Sequence, residues 1–114
     1  MGIKSYENLK VYKKGYELAL KVHQTTLNLP DYEKYELGSQ LRRAALSIPL
    51  NIAEGYGRSG QDFKRFLGYS LGSANEVMVL LQFSQDLGYT KTTQLIDEYD
   101  VLGKQLYHLR KNWN

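Results

Sequence analysis

The chain has 114 residues, enough for one domain that buries roughly two thirds of the surface its unfolded form exposes. It has no cysteine, which excludes a disulfide framework and a thiolate zinc site and is compatible with a reducing compartment. Its 15 basic and 12 acidic residues leave a charge of +3, which permits contact with nucleic acid or an acidic partner without demanding it.

The N-terminal stretch Met1-Gly2-Ile3-Lys4-Ser5-Tyr6 lacks the apolar core of a signal peptide, and Tyr6 stands where a myristoylation motif wants Ser or Thr. No later stretch approaches the roughly 18–20 apolar residues of a membrane span. The expected location is the cytoplasm, away from any membrane.

The first helix is expected over residues 8–27, with Asn8 as N-cap. Its core face is read as Leu9, Tyr12, Tyr16, Ala19, Leu20, His23 and Leu27. Asn28-Leu29-Pro30 ends it, because the residue before a proline is pushed away from helical angles. The second helix is expected over residues 35–56. Leu37, Leu41, Ala44, Ala45, Ile48 and Ile52 keep one apolar phase through Pro49, so it reads as one helix kinked at the proline. Gly55 and Gly57 supply its exit.

The third helix is expected over residues 60–87. Ser59 is its N-cap, Phe63, Phe66, Leu67, Ser70, Leu71, Ala74, Val77, Met78 and Leu81 its core face, and Gly88 its C′ residue. The fourth is expected over residues 92–113, where Leu95, Tyr99, Leu102, Leu106, Leu109 and Trp113 alternate at spacings of four and three. Short loops make neighbours antiparallel. The expected fold class is all-α: an antiparallel up-down four-helix bundle forming one domain over residues 1–114.

Some apolar residues fall outside these stripes. Leu46, Leu50 and Ala53 lie away from the core line of the second helix, and Val79, Leu80, Phe83 and Leu87 away from that of the third. Scattered surface hydrophobes are normal, but this many favours a self-association surface. Leu46, Leu50, Leu80 and Phe83 are its expected interface residues. Beside the apolar line of the second helix runs a polar stripe, Gln40, Arg43, Ser47, Asn51 and Glu54. It reads as structural, since buried polar groups are usually satisfied within the protein.

Candidate chemistry is sparse. His23 and His108 sit on different helices and match no paired-histidine metal motif; His23 is expected in the core and His108 in solvent. Gly55-Tyr56-Gly57-Arg58-Ser59-Gly60 is glycine-rich but has neither the preceding strand nor the Gly-Lys-Ser/Thr ending of a phosphate loop. No serine, histidine and acid arrangement is legible. The expectation is no enzyme, no metal, no cofactor and no small-molecule substrate. Among the basic groups, Arg42, Arg43, Arg58, Lys64 and Arg65 are the expected phosphate contacts, with Tyr56 and Tyr69 as rings on which unpaired bases could stack.

The segment Leu37-Gly38-Ser39-Gln40-Leu41-Arg42-Arg43-Ala44-Ala45-Leu46-Ser47-Ile48-Pro49-Leu50-Asn51-Ile52-Ala53-Glu54-Gly55 closely resembles the signature of the bacterial four-helix-bundle family named for the 23S rRNA intervening sequence, also labelled S23 ribosomal proteins. Tyr6-Glu7-Asn8-Leu9-Lys10-Val11-Tyr12, Phe63-x-x-Phe66-Leu67 and Leu71-Gly72-Ser73-Ala74-Asn75-Glu76 fit it too. The resemblance implies a homopentamer. The fold it implies is also similar to the accessory protein of diversity-generating retroelements, a pentamer that binds nucleic acid and a reverse transcriptase. The expected function is a non-enzymatic, oligomeric protein that binds nucleic acid, RNA or DNA, or serves as a scaffold. The alternative is a protein–protein adaptor whose positive charge is incidental.

Overall fold

The computed structural model describes residues 5–114; residues 1–4, part of the stretch judged for a leader, lie outside them. A 3-10 turn at Ser5–Asn8 leads into α1, Lys10–Thr26. A single turn, α2, follows at Asp31–Lys34, then α3 at Leu37–Gly55, α4 at Gly60–Asp86 and α5 at Thr93–Asn112. No strand occurs among the described residues, and none of the helices is long and apolar enough to cross a membrane. The 27 residues of α4 give a rod of about 40 Å at 1.5 Å per residue, nearly the whole long axis of 43 Å.

The cross-helix contacts run in opposite directions along the chain, as antiparallel neighbours require. Between α3 and α4, Ser47 meets Ser73 and Gly55 meets Phe66. Between α4 and α5, Gly103 lies against Leu71 and Arg110 reaches Lys64. Between α1 and α3, Gly15 lies against Ile48 and Arg42 reaches Thr26. The long helices therefore form a four-cornered up-down bundle in the order α1, α3, α4, α5, the fold class the sequence implied. Leu18, Val22, Leu41, Ile48, Ile52, Phe63, Leu67, Val77, Leu81, Tyr99, Leu102 and Leu106 are fully buried between them.

Several ends follow local rules. The Ser59 hydroxyl accepts from the Asp62 N–H at 3.2 Å, the expected cap of α4. At its other end the Gly88 N–H bonds to Gln85 O and the Tyr89 N–H to Ser84 O, with Gly88 at φ +78°. That pair of bonds is a Schellman closure, which needs a residue tolerant of positive φ. α3 continues without a break through Pro49, as its apolar phase required.

Three expectations need correction. α1 begins at Lys10, not Asn8; the N-cap position is Leu9, which makes no side-chain cap. The second expected helix begins at Leu37, and a separate turn precedes it, with Pro30 at its cap and acids in its first turn. Tyr89 donates its hydroxyl to Glu33 at 2.9 Å and pins that turn to the α4–α5 corner. Four residues are too few to show a period, which hid the turn in the sequence.

The third correction concerns the rotation of α1. Its buried residues are Val11, Gly15, Leu18, Val22 and Thr26. Tyr16, Leu20 and Leu27 are exposed, and so is His23, which was expected in the core. Both stripes have helical spacing. Gly15 decides between them, because a Cβ there would sit 3.0 Å from Ile48 Cγ2. The bare glycine lets α1 press against α3, and the larger side chains turn outward.

Candidate nucleic-acid interface

The expected phosphate contacts do not form one group. Arg43 lies within α3 and Arg58 beyond its end, fifteen residues apart in the chain. Arg42 is half-buried and engaged: its guanidinium donates to Thr26 Oγ1 at 3.1 Å and to the Lys34 carbonyl at 3.2 Å. It ties the end of α1 and the α2 turn to α3. Arg43 is exposed and lines, with Tyr16, Ala19, Leu20, His23 and Leu46, a concavity of about 380 Å³ that is mainly apolar.

Arg58, Lys64 and Arg65 do come together, at the start of α4. Arg58 donates to the Glu54 carbonyl at 2.9 Å and pairs with its carboxylate at 3.0 Å. Arg65 donates to the Tyr69 hydroxyl at 3.2 Å and pairs with Asp62 at 3.3 Å. Both guanidinium groups lie 5.1 Å from the centre of the Phe66 ring, and Arg65 lies 5.8 Å from that of Tyr69. The rings fix the planes of the forks, which surface lysines would not achieve. The two ion pairs are exposed and screened by solvent, so a phosphate can displace either carboxylate at small cost.

The structure adds Arg110, which the sequence reading missed. Its Nε donates to the Lys64 carbonyl at 3.0 Å, and its guanidinium lies across Gly68, 3.3 Å from where a Cβ would stand. Gln61, Asp62, Lys64, Arg65, Gly68, Tyr69 and Arg110 line an open concavity of about 750 Å³. Three cations face one carboxylate there. Arg110 is 46 residues from Lys64 in the chain, and only the α4–α5 pairing joins them.

The two rings proposed for stacking fare differently. Tyr69 is half exposed at the rim of the concavity. Tyr56 is half-buried and makes T-shaped contacts with Phe63 at 5.6 Å and Trp113 at 6.3 Å, so it belongs to the packing of the bundle end.

Of the expected interface residues, Leu46, Leu50 and Phe83 are exposed by about half of their surface. Leu80 is half-buried and packs against the core instead. Tyr16 and Leu20, assigned to the core from sequence, are exposed and extend the apolar surface around Leu46. Of the polar stripe, Ser47 faces the α3–α4 groove. The Ser47 and Ser73 hydroxyls meet at 2.6 Å, and Ser47 reaches the Ala44 carbonyl at 2.8 Å. With its single proton on that carbonyl, Ser47 accepts from Ser73. Asn51 donates to the Ser47 carbonyl at 2.8 Å, Glu54 holds Arg58, and Gln40 and Arg43 are exposed.

Residues 7–108 match the model of a family described as 23S rRNA-intervening sequence protein. No curated protein matches the chain.

Proposed function

We propose a non-enzymatic role for this chain, which belongs to the 23S rRNA-intervening sequence protein family: it assembles with copies of itself and binds nucleic acid, RNA above all, in the bacterial cytoplasm. The observation that carries the reading is the concavity at the start of α4, where Lys64, Arg65 and Arg110 surround Tyr69 with Asp62 as the one carboxylate. Forked cations hold phosphates, and an exposed ring stacks on an unpaired base. That combination favours looped or single-stranded RNA over duplex. The family's description, with its 23S rRNA, points the same way.

One chain carries only +3, too little for tight binding. Repetition around an assembly changes this: five copies, the number the family resemblance implies, carry about +15. The half-exposed Leu46, Leu50 and Phe83, with Tyr16 and Leu20 beside them, supply apolar surface for such an assembly.

The test is a salt titration of affinity for a looped RNA, with the mass of the assembly followed by light scattering. The native protein should bind with little sequence preference and lose affinity steeply with salt. Arg58→Ala/Lys64→Ala/Arg65→Ala should flatten the salt slope by about 0.7–0.9 for each phosphate that the variant no longer neutralises. Leu50→Asp should lower the mass without unfolding the chain, because Leu50 is already exposed in the single copy. Absence of RNA binding at about 50 mM salt, with the assembly intact, would leave the adaptor reading. A monomer at micromolar concentration would remove the assembly.

A further inference from the structure

α1 carries four lysines, Lys10, Lys13, Lys14 and Lys21, against one acid, Glu17. Four minus one gives +3, equal to the charge of the whole chain. The most basic element is therefore not the one that carries the arginine cluster. α1 is also loosely joined to α5. Glu98 bridges the two helices midway, its carboxylate 3.3 Å from Lys21 Nζ and 3.4 Å from Lys14 Nζ.

Toward the start of α1 and the end of α5, the seam opens into a groove. Two adjoining concavities of about 630 and 290 Å³ share Lys10, Val101 and Gln105 in their walls. The floor is apolar: Leu9, Val11, Val101 and Leu109. Val101 is 53% exposed although it lies on the line of the groove. The rim is Lys10, Lys13, Lys14 and Lys104 with one carboxylate, Glu17; Lys14 pairs with Glu17 and Glu98, and Lys104 with Asp100 at 3.2 Å. Among the described residues, no carboxylate lies within salt-bridge distance of Lys10 or Lys13.

This pairing of features selects one class of ligand. A nucleic-acid backbone would satisfy the lysines but bury phosphate against Val101 and Leu109. The lining has no Phe, Tyr or Trp, and His108 is its one ring on which a base could stack. A helix with one apolar face and acidic flanks satisfies both parts at once. Val101 and Leu109 lie about 12 Å apart along α5, two turns of a helix. An entering helix would lay apolar side chains spaced by three and four residues on that floor, with its carboxylates toward Lys10 and Lys13.

We propose that the α1–α5 groove is a docking site for an acidic amphipathic helix of a partner protein. The site does not depend on the nucleic-acid reading, because Arg110 and the concavity at the start of α4 lie on the other side of α5.

The probe is a labelled synthetic peptide of five helical turns, with leucines three and four apart and glutamates on both flanks. A peptide of the same composition, with the leucines scattered around the helix, is the control. Anisotropy titration should give micromolar affinity for the first and about ten-fold weaker binding of the second. Lys10→Glu/Lys13→Glu should cost at least about ten-fold in affinity, and Val101→Ser several-fold. Circular dichroism shows whether each variant is folded. Arg58→Ala/Lys64→Ala/Arg65→Ala should leave peptide binding unchanged. Equal binding of the two peptides would reduce the groove to charge attraction and overturn the proposal. So would absence of binding, or binding indifferent to Lys10, Lys13 and Val101. Oligouridylate that displaces the peptide, and whose own affinity falls in Val101→Ser, would make RNA the occupant.

Discussion

Gly55 of α3 packs directly against Phe66 of α4, and the contact gives a quantitative test of the packing. A Cβ added there would stand 2.6 Å from Phe66 Cβ and 2.9 Å from Phe66 Cγ. The first of these atoms is fixed to the α4 backbone, so no rotamer change can clear it. The helices must part, or Phe66 must leave its place between Arg58 and Arg65. Overpacking of this kind costs about 1–3 kcal/mol. Against it stands the gain of alanine over glycine in a helix, about 0.5–1 kcal/mol. Gly55→Ala should therefore be destabilising by about 1 kcal/mol, the middle of the range left after the smaller gain is subtracted from the larger cost. Gly103 supplies the opposite sign. Its added Cβ would meet Leu71 Cδ1 at 3.7 Å, an ordinary contact, so Gly103→Ala should be stabilising by about 0.5–1 kcal/mol. Urea unfolding followed by circular dichroism, with equal m-values, measures both. A Gly55→Ala protein as stable as the native one would refute the argument, as would a destabilised Gly103→Ala.

Two further outcomes follow from polar groups. Burial opposes the charge of Glu98, but Lys21 and Lys14 outweigh it and hold the carboxyl below its usual range. A depressed folded-state pKa gives stability that is present above the unfolded value, about 4.3, and is lost as pH falls through the folded one. The urea midpoint should fall on acidification into that window, and fall less in Glu98→Gln; identical pH profiles would count against the bridge. Tyr99 is fully buried, its hydroxyl has no partner among the described residues, and burial raises its pKa above the usual range. Tyr99→Phe should leave stability unchanged or raise it by up to about 1 kcal/mol, and a clear loss in urea unfolding would mean that the hydroxyl is bonded.

The parts of the fold that were legible in sequence are those decided within a few residues. Ser59 and Gly88 set the ends of α4 through their own chemistry, and the spacing from Leu95 to Leu106 set the inner face of α5. The rotation of α1 was not legible. Its two stripes are equally periodic, and the meaning of Gly15 depends on Ile48, a residue of another helix. The candidate site divides in the same way. Arg58, Lys64 and Arg65 were found because they are neighbours in the chain. Arg110 was missed because only packing brings it there, and the bonds of Arg42 to Thr26 and the Lys34 carbonyl are invisible until the chain is folded.

The chain has a single tryptophan, and its position makes it an internal lamp. Trp113 follows the last turn of α5, with its ring 4.6 Å from that of Phe63 and 6.3 Å from that of Tyr56. It touches both sides of the α3–α4 corner from the far end of the sequence. Its emission therefore reports one event, the docking of the C-terminal end onto that corner, and is silent about the four helices as such. Emission that shifts red before the far-ultraviolet ellipticity falls would reveal a frayed end on an intact bundle. Emission and ellipticity that change together would mark the bundle and its C-terminal clasp as one cooperative unit.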